Sequence, residues 1–148
     1  MRVAIDTNVL AYAVGVNGDV RKKAALDVVS ALPQEAVYVP IQVLEELFFL
    51  MTRRVGYPAS TARAIVLEWC DAFSPIETSL AVLLGAADLV NDHHLNFWDA
   101  IIVRAAVEAN CRLLLSEDMQ DGFTWEGVTV VNPFRKPYEP LFGALVAV

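Results

Sequence analysis

Apolar runs of strand length alternate with longer helical stretches along most of the chain, and this alternation restricts the fold more than any other feature. It is typical of a parallel sheet that is covered by helices on both faces. We therefore predict an α/β fold with a central parallel sheet. The predicted strands are residues 2–5, 37–39, 74–77, 112–115 and 128–131, and the predicted helices are residues 9–14, 20–31, 41–55, 60–72, 79–91 and 98–109.

The chain has 148 residues, of which 56% are hydrophobic, so it can bury one substantial core. We expect a single domain, residues 1–148, in which residues 133–148 form a tail packed back on the domain; a partner-binding segment is the alternative. Despite a positive mean hydropathy of +0.46, the longest apolar stretches are interrupted by charged residues well short of the roughly 20 residues that span a bilayer. Asp6 also interrupts the N-terminal apolar run before it reaches the length of the hydrophobic region of a signal peptide. We expect a cytoplasmic protein with no membrane partner, in which Cys70 and Cys111 are free thiols.

Four carboxylates lie where mostly apolar elements begin or end. Asp6 and Asp118 each follow a predicted strand, so parallel pairing can bring them to one edge of the sheet. Asp99 lies in the first turn of a helix on an apolar stripe, and Glu46 lies on another helix. Gathering like charges is costly unless a positive group holds them. A hard divalent cation, Mg²⁺ or Mn²⁺, is the natural candidate, and phosphodiester chemistry is its natural work in such a site.

Each acid also has a purely structural interpretation. Asp6 could cap the helix that follows it, and Asp99 could complement a helix dipole. Glu45 and Glu46 flank the apolar arc of their helix on opposite sides, and periodicity does not choose between them. Asp121, one turn after the fourth acid, is either a further ligand or an exposed loop acid. These alternatives stay open at the level of pattern.

Other polar residues near these acids are candidates for supporting roles. Ser116 could orient Asp118 or a metal-bound water, or it could cap the next turn. His93 and His94 lack the spacing of a zinc site, and we expect them to be loop residues. The net charge of −7 argues only weakly against a nucleic-acid partner, because a bound metal would offset part of the local charge.

Five segments occur in a characteristic order: residues 5–10 (IDTNVL), 42–46 (QVLEE), 95–102 (LNFWDAII), 115–119 (LSEDM) and 132–134 (NPF). As an ordered set they resemble the PIN-domain family, and more narrowly the VapC-type toxins of bacterial and archaeal toxin–antitoxin pairs. The resemblance implies a three-layer α/β/α domain, with a central parallel sheet of about five strands. It also implies metal-dependent endoribonuclease activity, a homodimer, and inhibition by a cognate antitoxin protein.

The resemblance further implies roles for individual residues. The catalytic acids and ligands of one or two Mg²⁺ or Mn²⁺ ions would be Asp6, Glu46, Asp99 and Asp118, with Asn8 and Ser116 as supporting partners and Glu45 and Asp121 as additional candidates. The cleaved RNA would carry 5′-phosphate and 3′-hydroxyl ends. Among the basic residues, we consider Arg53, Arg54 and Arg104 as candidates to hold the phosphates of the RNA substrate.

Two other functions stay open. A catalytically silent PIN module that binds RNA or a protein is one, although such a module does not need four converging carboxylates. A phosphatase with an aspartate nucleophile is the other. That enzyme would ordinarily carry a second Asp two residues after Asp6, where this chain has Asn8.

Overall fold

The computed structural model describes residues 1–147 and shows a six-stranded sheet flanked by helices. The end of the C-terminal segment, Val148, lies outside the described residues. In chain order the elements are β1 (Arg2–Ile5), α1 (Thr7–Ala13), α2 (Asp19–Ala31), a 3-10 turn (Gln34–Ala36), β2 (Val37–Pro40), α3 (Ile41–Leu50), a π-helical turn (Met51–Val55), α4 (Ala59–Ala72), β3 (Ser74–Ile76), α5 (Leu80–His93), α6 (Phe97–Glu108), β4 (Cys111–Leu115), β5 (Thr124–Trp125), β6 (Val128–Val131) and α7 (Pro140–Val146).

The strand order is β3-β2-β1-β4-β6-β5, and neighbouring strands pair in parallel except for β5, which pairs antiparallel to β6. This confirms the predicted α/β fold, with one strand more than expected. The extra strand β5 has only two residues, and it pairs with β6 through a tight turn at Gly127. A two-residue strand is too short to show the alternating pattern that predicts strands.

The central strands β1 and β4 are apolar on both faces because helices cover both faces of the sheet. Val3, Ala4 and Ile5 of β1 are fully buried, as are Leu113 and Leu114 of β4. From β1 the chain builds the sheet in one direction through β2 and β3, and in the other direction through β4 and β6. The strand order therefore reverses beside β1, and open α/β sheets bind ligands at the carboxyl edge of such a reversal.

Two helical segments differ from the sequence-based expectation. The predicted helix 41–55 is the helix α3 followed by a π-helical turn, which ends at Gly56 with a left-handed φ of 80°. The C-terminal segment forms α7, which was not expected because its seven residues are too few for a clear helical period. Its Phe142 is fully buried and belongs to the same core cluster as Val28 of α2.

The helices α5 and α6 approach closely at Gly85. A Cβ added at Gly85 would lie 2.6 Å from Cδ of Arg104. The guanidinium of Arg104 lies 2.9 Å from Glu108 and 3.9 Å from Glu126. Arg104 thus serves the packing of this helix pair and pairs with two acids, while its contact with an RNA phosphate stays a prediction.

Two further expectations concern the thiols and the membrane. Cys70 and Cys111 are free cysteines, as predicted. Cys111 is buried, and burial raises the pKa of its thiol to about 12. Within residues 1–147, none of the helices has the combined length and hydrophobicity that crossing a bilayer requires.

Candidate active site

Asp6 lies directly after β1 and is both the N-cap of α1 and a member of the candidate site. Its backbone amide donates to the carbonyl of Leu115 at 2.9 Å, which continues the β1–β4 pairing by one residue. Its carboxylate accepts hydrogen bonds of 2.7 Å from the amide of Thr7 and 2.7 Å from Oγ of Ser116. With 5% exposure, Asp6 is held rigidly at the carboxyl edge of the sheet.

Glu46 reaches the same place from α3. The hydroxyl of Thr7 donates a hydrogen bond to Glu46, and the side-chain amide of Gln42 donates another at 3.1 Å. Gln42 lies one helical turn before Glu46, so both side chains share a face of α3. These contacts distinguish Glu46 from its neighbour Glu45, which is exposed.

Asp99 is placed by the start of α6. Asn96 caps this helix, and its side chain accepts from the amides of Trp98 at 2.9 Å and Asp99 at 3.4 Å. The residues that follow, including Ile102 and Val103, are buried in the core and orient the helix. Asp99 is consequently half-buried at the edge of the site.

Asp118 lies in the loop after β4 and accepts a hydrogen bond from the side-chain amide of Asn8. Ser116 starts this loop, and its hydroxyl accepts from the amide of Met119 at 3.1 Å while donating to Asp6. Ser116 therefore caps the turn, which was one of the roles predicted for it. Its hydroxyl orients Asp6, whereas the other prediction was that it orients Asp118 or a metal-bound water.

The four acids line one open cleft of about 380 Å³ at the carboxyl edge of the sheet. They come from the ends of two strands, the middle of one helix and the start of another. The lining residues are Asp6, Thr7, Asn8, Gln42, Glu45, Glu46, Phe49, Leu50, Asp99 and Asp118. The structure therefore brings together the residues that the sequence placed far apart.

The electrostatics of the cleft show the cost of that gathering. Burial raises the pKa of Asp6 from 3.8 to about 7, and the charges of Asp99 and Glu46 add to this, while the hydrogen bonds from Ser116 and Thr7 oppose it. Burial also raises the pKa of Asp99, helped by the charges of Glu46 and then Asp118. A bound cation would offset this repulsion and favour the ionised form of both groups.

The donor set fits a hard divalent cation. Every titratable group that lines the cleft is a carboxylate, and oxygen ligands favour Mg²⁺ or Mn²⁺ over the softer metals that prefer thiolate or imidazole. Within residues 1–147, however, no three His, Cys, Asp or Glu side chains are grouped as ligands for one ion. Neutral donors occupy the carboxylates instead, because Thr7, Asn8 and Ser116 each donate to one of them. A cation would compete with these donors for the carboxylate oxygens.

The remaining predicted acids and histidines differ in position. Glu45 lines the cleft from its exposed rim. Asp121 instead accepts from the amide of Asn132 at 3.0 Å and faces Arg135 at 3.4 Å, as expected for a loop acid. His93 ends α5 and His94 caps it, so only His94 lies in the loop that was expected for both.

The two basic candidates lie on the π-helical turn after α3. The guanidinium of Arg53 lies over the ring of Phe49, 5.6 Å from its centroid, and Phe49 lines the acidic cleft with 59% of its surface exposed. Arg54 is exposed on the same turn. Arg53 thus stands beside the cleft, where the phosphate of a bound strand could reach it.

Two contributions were not apparent from the sequence pattern. Thr7 was not predicted to belong to the site, and its bond to Glu46 joins segments that lie 39 positions apart. Tyr12 donates to Glu117 at 2.6 Å, and Arg21 donates to both of them at 2.9 and 3.0 Å. This triplet anchors the loop that carries Asp118. Its only sequence signal is the position of Glu117 beside Asp118.

Comparisons with known proteins agree with this geometry. The family model described as PIN domain matches residues 3–120. No curated protein matches the sequence significantly. Among solved structures, the chain is similar to VapC20 of Mycobacterium tuberculosis, described as a sarcin–ricin loop cleaving toxin, with a TM-score of 0.67, 20% identity, and coverage of 78% of this chain and 89% of that one.

Two toxin–antitoxin assemblies share the fold as well. A toxin–antitoxin complex from Klebsiella pneumoniae has a TM-score of 0.66 at 21% identity, with coverage of 88% of this chain and 97% of that one. VapBC2 from Rickettsia felis, bound to a promoter DNA fragment, has a TM-score of 0.63 at 14% identity, with the same coverage of 88% and 97%. The family match extends over most of the chain, including all four acids of the cleft. This protein belongs to the PIN-domain family.

Proposed function

We propose that this protein is a metal-dependent endoribonuclease and the toxin of a toxin–antitoxin pair. The observation that carries the proposal is the convergence of Asp6, Glu46, Asp99 and Asp118 on one cleft at the carboxyl edge of the sheet. Burial raises the pKa of Asp6, and the charges of Asp99 and Glu46 raise it further, so burying these acids together is costly in a protein that has no cation to bind. This energetic cost is expected in an active site whose carboxylates take part in a metal-dependent reaction.

The residues of the cleft would divide the work. Asp6, Glu46, Asp99 and Asp118 would hold one or two Mg²⁺ or Mn²⁺ ions, partly through water. When bound, such an ion supplies a water of lowered pKa and positive charge opposite the phosphate. The products would carry 5′-phosphate and 3′-hydroxyl ends.

Neighbouring polar groups would keep the ligands in place. Ser116 and the amide of Thr7 fix both oxygens of Asp6, so this carboxylate enters the reaction already oriented. Asn8 restrains Asp118 in the same way. Partners of this kind orient metal ligands, and their loss commonly costs about 10- to 100-fold in affinity or activity.

The RNA strand would cross the cleft beside the π-helical turn. Arg53 lies against Phe49, and this pair offers a positive charge for a phosphate next to an exposed ring for a base. Arg54 would add a second phosphate contact. The net charge of −7 does not oppose RNA binding, because a metal bound in the cleft would offset part of the local negative charge.

Similarity to VapC20 and to two toxin–antitoxin assemblies supports the toxin role. On this proposal a cognate antitoxin protein inhibits the enzyme, the enzyme is a homodimer, and it acts in the cytoplasm. A gene for a small DNA-binding protein immediately upstream would support the pairing. The alternative is a catalytically silent module that binds RNA or protein, and the neutral donors that hold Asp6, Glu46 and Asp118 are the observation in its favour.

Cleavage of total cellular RNA by the purified protein, freed of any antitoxin, tests the proposal. Reactions with Mn²⁺, with Mg²⁺ and with EDTA should be compared for the wild type, Asp6→Asn and Asp99→Asn. We expect discrete fragments that require the metal and disappear in both variants. If the folded, metal-supplied wild type cuts nothing but binds RNA, the silent module is the better account.

A further inference from the structure

A second cleft of about 460 Å³ adjoins the acidic one and shares two of its lining residues. Asp99 and Asp118 line both clefts, so the second begins where the candidate catalytic site ends. Its opposite wall contains both histidines of the chain, His93 and His94, together with Phe123. None of these three residues has a part in the proposed metal chemistry.

Aromatic side chains form a corner in this second cleft. The rings of His93 and Phe123 lie 5.7 Å apart, with an angle of 77° between their planes. His94 holds a left-handed conformation with φ of 56°, and its amide donates to the carbonyl of Val90 at 3.1 Å, which closes α5. The helix end therefore presents both imidazoles at one place. A corner of two rings offers a face for stacking and an edge beside it.

Away from the two acids that it shares with the first cleft, the second cleft offers a neutral group more than it offers a phosphate. Among the described residues, its lining contains two carboxylates, Asp99 and Asp118, and no Lys or Arg. A phosphate beside His93, His94 and Phe123 would therefore find no cationic side chain, whereas a nucleobase is uncharged and has a face that stacks on aromatic rings. The imidazoles of His93 and His94 and the amide of Gln120 supply donors and acceptors for the edge of a base.

We propose that this cleft binds one unpaired nucleobase of an RNA strand whose neighbouring phosphate lies in the adjoining acidic cleft, at the proposed metal site. The inference rests on the proposed ribonuclease function and extends it to the recognition of single-stranded RNA. An unpaired base is required, because a base within a duplex has no free face to stack on the ring of Phe123. The cleft would thereby select where the strand is cut, through the base that fits beside His93 and His94.

The test measures RNA binding in a background that does not cleave. The full chain with Asp6→Asn is titrated, in Mn²⁺, with a short unstructured oligoribonucleotide that carries a fluorophore. Into this background are placed His93→Ala, Phe123→Ala and Phe123→Leu. Phe48→Ala serves as the matched control, since Phe48 is a partly exposed ring that lines a different groove, between α3 and α4.

Loss of base stacking should weaken binding about 5- to 100-fold in His93→Ala and Phe123→Ala, and leave Phe48→Ala unchanged. The salt dependence of binding should stay the same, because no phosphate contact is lost. The same oligoribonucleotide is then made with an abasic ribose at each position in turn. At one position, removal of the base should weaken binding by the Asp6→Asn parent but not by its Phe123→Ala variant. In the cleaving background, His93→Ala should change the base preference beside the cut.

Two results would overturn the inference, and they differ in what else they imply. Equal affinity of the parent, His93→Ala and Phe123→Leu, with wild-type cleavage intact, would remove the base subsite and leave the proposed function standing. Failure of the parent to bind the RNA, together with no cleavage by the wild type, would remove both. His93 is exposed, so its variant keeps the test valid even if Phe123→Ala fails to fold.

Discussion

Ser116 donates a hydrogen bond of 2.7 Å from its Oγ to Oδ2 of Asp6, and so ties the end of β4 to the end of β1. Both side chains are buried, with exposures of 0% and 5%. The same hydroxyl accepts from the amide of Met119, which begins the turn around Asp118. One hydroxyl thus sets the position of one acid and the shape of the loop that carries another.

Replacing Ser116 by Ala should lower cleavage about 10- to 100-fold, because Asp6 loses a partner that orients it. The pKa of Asp6 should also rise further, since the bond from Ser116 lowers it. The rate of RNA cleavage against pH measures both effects. Ser79→Ala is the matched control, because Ser79 caps α5 and its loss should cost about 1 kcal/mol of stability without loss of activity. Equal activity in the two variants would contradict the role of Ser116.

Asp6 should make the metal-free protein less stable as the pH rises. Its pKa is about 7 when folded and 3.8 ordinarily, so the folded state binds a proton that the unfolded state has lost between these values. The resulting stabilisation is complete below the lower value and disappears as the pH passes the higher one. Asp6→Asn removes this dependence.

The free energy of unfolding of Asp6→Asn should therefore exceed that of the wild type by on the order of 2 to 4 kcal/mol at about pH 8, and by much less at about pH 4. Urea unfolding in EDTA at the two pH values measures the difference. Asp121→Asn, at an exposed loop acid, should track the wild type at both. If the difference in free energy of unfolding between Asp6→Asn and the wild type does not grow with pH, then Asp6 is ionised in the folded protein and the prediction is wrong.

Arg53 and Arg54 should contribute to RNA binding through phosphates. Their combined replacement by Ala should weaken binding of any RNA sequence and reduce the slope of log K against log salt by about 1 to 2. The control is Lys22→Ala with Lys23→Ala, an equal loss of charge on the exposed start of α2. A slope that stays unchanged in the arginine variant would exclude both residues from phosphate contact.

Gly85 and Arg104 should be coupled energetically. Gly85→Ala alone should destabilise the protein by about 1 kcal/mol or more, because its Cβ would displace the Arg104 stem. In an Arg104→Ala background the same change should stabilise it by about 0.5 to 1 kcal/mol, since Ala is the better helix residue. Urea unfolding of the four proteins gives the coupling free energy. Additive effects would show that the close approach carries no strain.

Much of the fold follows from local pattern. The alternation of apolar runs of strand length with helical stretches located the five longer strands and implied their parallel pairing. Parallel pairing in turn places Asp6 and Asp118 at one edge, which is why their proximity could be predicted without coordinates. Strand β5 and helix α7 are too short to show a period, and only packing defines them.

The details of the site depend on contacts between distant segments. Helical periodicity gave no reason to choose Glu46 over Glu45, whereas the hydrogen bonds of Glu46 with Gln42 and with Thr7, which lies 39 positions earlier in the chain, distinguish the two. Ser116 bonds to Asp6 across 110 positions, for which the sequence offers no signal. Pattern predicts which elements meet, whereas the partners of each side chain depend on their final packing.

The central claim is that the acids of the cleft, and not acidity in general, support metal-dependent cleavage. Asp118 and Asp121 provide the most direct comparison, because they lie three positions apart and only Asp118 lines the cleft, while Asp121 faces Arg135. The measurement is the rate of RNA cleavage in Mn²⁺ by Asp118→Asn and Asp121→Asn. We predict that Asp118→Asn loses more than the roughly 100-fold that a supporting partner can cost, and that Asp121→Asn matches the wild type. Equal rates in the two variants would contradict the account.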